Sequence, residues 1–171
     1  RRLRRWARGC DRLIVPTHRH AGRAARLLGV DPAACVPVPN GFDPRRFHPR
    51  VVDRGAFWRR HLVERPQGWA PGRPAGSVRY AEADVAALDD AVVLLAVGRF
   101  TAVKRLGLLI RAFERARRAA SREAALVVVG GHPGEWEGEH PLEAVAAAGA
   151  EDVFLAGWHV HDELAGVVCA A

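Results

Sequence analysis

The chain has no methionine, one tyrosine, and a single lysine among its 26 basic side chains. Every other basic residue is arginine, so Lys104 marks a position suited to a compact point charge rather than a planar fork. Cysteine is scarce. Cys10, Cys35 and Cys169 are odd in number and never in C-x-x-C spacing, which argues against a disulfide framework or a zinc ribbon. A reducing, cytosolic setting is the default for such a chain. No apolar run is long enough to span a bilayer, and no secretory signal pattern occurs. There is no G-x-G-x-x-G and no G-x-x-x-x-G-K-[ST], which excludes the usual dinucleotide and P-loop fingerprints. There is no Asp-x-Asp pair to hold a metal either.

What is present is an apolar fraction of 49% over 171 residues, enough for a real core in about one domain. The chain starts at Arg1 without methionine and stops at Ala171 inside an apolar run, so it reads as a fragment of a longer protein. The net charge of +7 is uneven. Residues 1–50 hold 12 arginines against 3 acids, and the remainder is slightly acidic. A basic N-terminal segment can face solvent, a membrane surface or phosphates. No aromatic-basic interleaving or recognition-helix pattern supports a nucleic-acid site.

The pattern from Val92 to Ala120 organises the chain. Val92–Val97 is a short β-branched run bounded by Gly98, which predicts a strand buried on both faces. Leu106, Leu109, Ile110 and Phe113 share one face of a helix expected over 105–120. Strand, glycine turn and helix start, with Arg99 and Lys104 between them, predict a seat for a phosphate or diphosphate.

Strands at 126–129 and 153–155 follow, each ending in glycine (Gly130-Gly131 and Gly157), with helices at 142–148 and 161–171. This alternation predicts βαβ units and a parallel sheet flanked by helices, with ligands at the strand carboxyl ends. Upstream, the pattern predicts a basic helix over 1–8, a strand over 11–16, and a helix capped by Thr17 and stopped by Gly29. A second extended piece spans 34–39. Asn40-Gly41 signals a turn, and Phe42 and Phe47 are expected to be buried. Residues 51–88 carry the weakest signal. Helical turns are expected over 57–63, a Pro/Gly-rich surface loop over 65–76, and a short acidic helix over 81–88.

Several residues admit a plain reading beside a functional one. Gly130, Gly131 and Gly157 are turn glycines or donor contacts. Trp158 is a core residue or a stacking surface for a base. His159 and His161, like His18 and His20, read as solvent-facing rather than metal-binding. Glu135, Glu137 and Glu139 form an acidic loop with no visible partner, and Asp89-Asp90 forms a turn.

Four segments together resemble the retaining, GT-B-fold glycosyltransferases of family 4. Val38-Pro39-Asn40-Gly41-Phe42-Asp43 with Phe47 resembles that family's PNG segment. Gly98-Arg99-Phe100 with Lys104, then Leu109-Ile110-Arg111-Ala112-Phe113, resembles its GR…K…LI-x-AF segment. Leu126–Gly131 resembles its next strand and glycine turn, and Val153–Trp158 with Glu163-Leu164 its V-x-F-x-G…EL segment. The opening Asp11–Thr17 resembles the last strand of its N-terminal domain.

The resemblance implies a Rossmann-like α/β fold of GT-B type. Residues 1–49 would close the acceptor-side domain, and 50–171 would begin the nucleotide-sugar domain, with a loop-rich segment at 51–88. It implies sugar transfer from a nucleotide sugar to an acceptor with retention and without a bound metal, Arg99 and Lys104 stabilising the leaving diphosphate. Gly98, Phe100, Gly130, Gly131, Gly157 and Trp158 would also contact the donor. The family's paired glutamates would lie after Ala171 and its acceptor loop before Arg1, so the isolated chain is expected to be inactive. The alternative is a non-catalytic α/β binding module whose basic N-terminal segment contacts nucleic acid or anionic surfaces.

Overall fold

A computed structural model describes all 171 residues. Contacts divide it into Arg1–Phe47 and His48–Ala171.

In the first unit, helix α1 (Arg2–Arg8) precedes strand β1 (Leu13–Val15), helix α2 (His18–Leu28) and strand β2 (Cys35–Pro37). β1 and β2 pair in parallel, Leu13 opposite Cys35 and Ile14 opposite Val36. Thr17 Oγ1 accepts the His20 N–H at 3.1 Å and caps α2. Gly29, at φ 67°, ends that helix in the left-handed conformation that favours glycine. Ala7, Leu13, Ala25 and Cys35 form a small core. Phe42, expected inside, is 71% exposed. The following residues close a turn of their own, the Phe47 N–H donating to the Asp43 carbonyl at 2.9 Å, and leave that ring outside it.

The second unit begins with helix α3 (Arg54–Arg59), which runs into a π-helical turn, Arg60–Glu64. Helix α4 (Glu82–Ala86) leads to strand β3 (Val92–Val97), and a 3₁₀ turn (Ala102–Lys104) to helix α5 (Leu106–Ala119). Strand β4 (Ala124–Val129), helix α6 (Pro141–Ala148), strand β5 (Val153–Gly157) and helix α7 (His161–Cys169) complete it. The sheet order is β3-β4-β5, all parallel. The predicted parallel α/β sheet is therefore the one found. β3 departs from expectation: as an edge strand it leaves Val92, Leu94 and Val97 at 40–48% exposure rather than buried on both faces.

Because side chains alternate along a strand, the sheet feeds two cores. Ala125, Val127, Val129, Phe154 and Ala156 pack against Trp58, Leu62, Leu88 and Val167. Leu126, Val128, Val153 and Leu155 pack against Ile110, Phe113, Ala144 and Trp69. The weak-signal segment 51–88 thus supplies both buried tryptophans. Their indoles are satisfied: Trp58 Nε1 donates to the Ala170 carbonyl at 3.0 Å, and Trp69 Nε1 to the Gly131 carbonyl at 2.9 Å. The same segment covers the free side of β5. Gln67 bridges to Gly157, and the Leu155 N–H donates to the Tyr80 hydroxyl at 2.7 Å. The expected surface loop is in part a cover for the sheet edge.

Candidate functional site at the strand ends

The three strands of the second unit each run out into glycine. The Gly98 N–H donates to the Val129 carbonyl at 2.9 Å, and the Gly130 N–H to the Gly157 carbonyl at 2.7 Å. Gly98, Gly130 and Gly157 therefore stand side by side across the carboxyl edge of the sheet. Two of them have no room for a side chain. At Gly130, φ 121°, a Cβ would run into the Gly98 carbonyl oxygen; at Gly157, φ 74°, it would run into the Gln67 carbonyl. The result is an edge of bare backbone, on the side where parallel sheets receive ligands.

Lys104 and Arg99 are set on this edge by a short detour of the chain. After Arg99, the Thr101 N–H closes back on the Arg99 carbonyl at 2.9 Å, and the 3₁₀ turn follows. Arg105 then adopts φ 52°, ψ 42°, and α5 starts at Leu106. This detour turns Lys104 back over Gly98. Its Cγ, Cδ and Cε lie 3.8, 3.6 and 3.3 Å from where a Gly98 Cβ would be. Arg99 and Lys104 are both exposed, and neither is ion-paired.

The start of α5 follows Lys104 directly, with Arg105 as its N-cap and no side chain capping it. Acidic side chains face it. Glu137 Oε2 accepts the Ala102 N–H at 3.0 Å, and Glu139 Oε2 lies where a Gly107 Cβ would be while accepting from Arg111 Nη1 at 2.9 Å. Two of the three glutamates of the acidic loop, Glu137 and Glu139, thus have partners. A carboxylate at a helix N-terminus is favoured by the dipole. A cavity of about 250 Å³ beside this helix start is lined by Phe100, Arg105, Gly107, Arg111, Glu137 and Glu139, and neither Arg99 nor Lys104 borders it.

The other named positions divide. Phe100 is 3% exposed, stacked on Trp69 at 5.7 Å, and packed under Gly131, where a Cβ would meet its ring at 2.6 Å. Phe100 and Gly131 thus build the support beneath the edge. Trp158 is 50% exposed and lies edge-on to His132 at 6.3 Å, past the ends of β5 and β4. Nothing in the sequence paired those two rings across 25 intervening positions. His159 also departs from expectation. It is 6% exposed, with Nδ1 3.0 Å from Glu163 Oε2 and Nε2 3.1 Å from the Ala156 carbonyl. His161 is exposed, as expected.

Parallel sheets flanked by helices, with a glycine-lined carboxyl edge, define an α/β fold of the GT-B glycosyltransferase type. The chain aligns over 98% of its length with an Anabaena HepE structure in complex with UDP and glucose (TM-score 0.63, 13% identity), covering 38% of that chain. In sequence it is 33% identical over 125 residues to a protein named D-inositol 3-phosphate glycosyltransferase 2, from Catenulispora acidiphila. That match takes in 72% of this chain, which spans 23% of the relative's length. No family model matches the chain. No helix is long and apolar enough to cross a membrane.

Proposed function

We propose that His48–Ala171 binds the nucleotide-sugar donor of a retaining glycosyltransferase of family 4, with Arg99 and Lys104 holding the donor diphosphate. One observation carries this reading: two unpaired cations stand at the glycine-lined carboxyl edge of a parallel sheet, one laid across Gly98. The relative named as an inositol-phosphate glycosyltransferase and the UDP and glucose of the structural neighbour support it. Breaking the sugar–phosphate bond leaves negative charge on the departing diphosphate. Cations already in place stabilise that charge more in the transition state than in the ground state. Such a pair does this work without a metal at the leaving group. The exposed Trp158, just past the end of β5, offers a face for the base.

Calorimetric titration of the chain with UDP, GDP and ADP tests the proposal. Binding of one diphosphate that Lys104→Ala abolishes supports it. No binding by any of the three, or binding indifferent to both Arg99→Ala and Lys104→Ala, refutes it. Affinity for duplex DNA that falls steeply with salt would instead favour the binding-module alternative.

A further inference from the structure

A second constellation lies on elements that carry neither Arg99 nor Lys104. His61 comes from the π turn, His159 from the loop after β5, and Glu163 from the first turn of α7. Their donor atoms all lie within 4.8 Å of one another. His61 and His159 are both buried, their rings edge-on at 4.8 Å. We propose that His61, His159 and Glu163 bind one divalent cation of the zinc type.

The hydrogen bonds of His159 carry the argument. Both ring nitrogens face acceptors, Glu163 Oε2 at 3.0 Å and the Ala156 carbonyl at 3.1 Å. A neutral imidazole has only one N–H. One of the two contacts therefore sets a lone pair against an oxygen, unless a second proton or a metal ion stands between. The Nε2–H donating to the Ala156 carbonyl is the outer hydrogen bond that fixes the tautomer of a metal-bound histidine. Nδ1 and Glu163 Oε2 are then left facing each other at 3.0 Å. Two ligand atoms each about 2.0–2.2 Å from one tetrahedral ion stand roughly 3.3 Å apart.

His61 completes the set from the other side. Its ring rests on Phe57 at 4.4 Å, and it must swing inward by about 1–1.5 Å to reach ligand distance. Two imidazoles and one carboxylate suit zinc or a neighbouring first-row ion; calcium and magnesium prefer all-oxygen sets. The Glu163 side chain is 42% exposed, which leaves a path for the ion and a fourth position for water. Bound there, the ion would tie the π turn of segment 51–88 to the loop that carries Trp158.

The test is calorimetric titration of the untagged, chelator-treated chain with Zn²⁺, with Co²⁺ absorption as an independent readout of coordination. One ion per chain is expected, with a tetrahedral Co²⁺ spectrum and a melting temperature raised by Zn²⁺. His61→Gln and Glu163→Gln should each weaken binding on the order of tenfold or more. Glu163 is half-exposed, so that variant should fold. No Zn²⁺ binding by the wild-type chain would overturn the proposal and leave a proton as the bridge between His159 and Glu163. Undiminished binding in Glu163→Gln, or an octahedral Co²⁺ spectrum, would also overturn it, by placing the ion on other side chains.

Discussion

Lys104 lies across Gly98, its Cε 3.3 Å from the point where a β-carbon would sit. The glycine is thus the platform for the chain's one lysine. Gly98→Ala should displace the flexible lysine by a few tenths of an ångström and leave the fold within about 0.5 kcal/mol of wild type. Gly98→Val should push Lys104 off the strand end and weaken nucleoside diphosphate binding. Equal affinities in all three proteins would separate Lys104 from the binding site.

On the proposed function, Lys104→Ala in a transfer-competent protein carrying this chain should cost roughly 100- to 1000-fold in turnover, about 3–4 kcal/mol, as when one charge-stabilising donor is removed. Arg99→Lys should also be harmful, because the bidentate fork is lost. Both side chains are exposed, so thermal melts should be unchanged. Steady-state kinetics beside those melts checks this. Turnover within about threefold of wild type for Lys104→Ala would remove it from leaving-group stabilisation.

Gly130→Ala should destabilise the second unit. The position combines φ 121° with a direct clash on the Gly98 carbonyl oxygen. A side chain in such backbone costs of order 1–3 kcal/mol before the clash is counted. Urea unfolding reads the loss. A variant as stable as wild type would show that the strand ends are looser than described.

Tyr80→Phe isolates one hydrogen bond. The Tyr80 hydroxyl accepts the Leu155 N–H at 2.7 Å on the side of β5 that no strand covers. Removing it strands a buried amide, at about 1–3 kcal/mol. The midpoint of urea unfolding should fall without a change in slope.

Acid stability should report Glu114. Its carboxylate, buried on α5, accepts from Arg117 Nε at 3.1 Å and also from Arg118. Arg117 first, and then Arg118, hold its pKa down to about 2 from the ordinary 4.5, against the opposing effect of burial. A folded-state value below the unfolded one stabilises the fold above the unfolded value. That contribution is complete above about pH 4.5 and lost as pH falls toward about 2. Glu114→Gln should lower stability at neutral pH and flatten that stretch of the stability–pH curve. An unchanged slope would assign the acid transition to other carboxylates.

Local pattern determined much of this protein. The runs Val92–Val97 and Leu126–Val129, each closed by glycine, are strands because β-branched residues bounded by turns have few other stable solutions. Thr17 and Gly29 bound α2 because capping is a local hydrogen-bond problem. The candidate cations were legible for the same reason: Gly98, Arg99 and Lys104 are close in sequence.

What only tertiary structure decided depends on separation along the chain. Residues 51–88 carry only weak local signal for short helices, yet Trp58 and Trp69 fill the two cores because distant strands present apolar faces to them. Whether β3 is central or at an edge depends on which strands pair, and a run of valines and leucines does not state that. Glu137 accepts the Ala102 N–H in the turn before α5 from 35 residues away, and Glu139 pairs with Arg111 of α5 from 28 residues away. His61 meets His159 across 97 intervening residues, and only the packing of the π turn on the end of β5 brings them together. Spacing speaks for neighbours along the chain; contacts of this kind are made by the burial of apolar surface, which acts without regard to sequence distance.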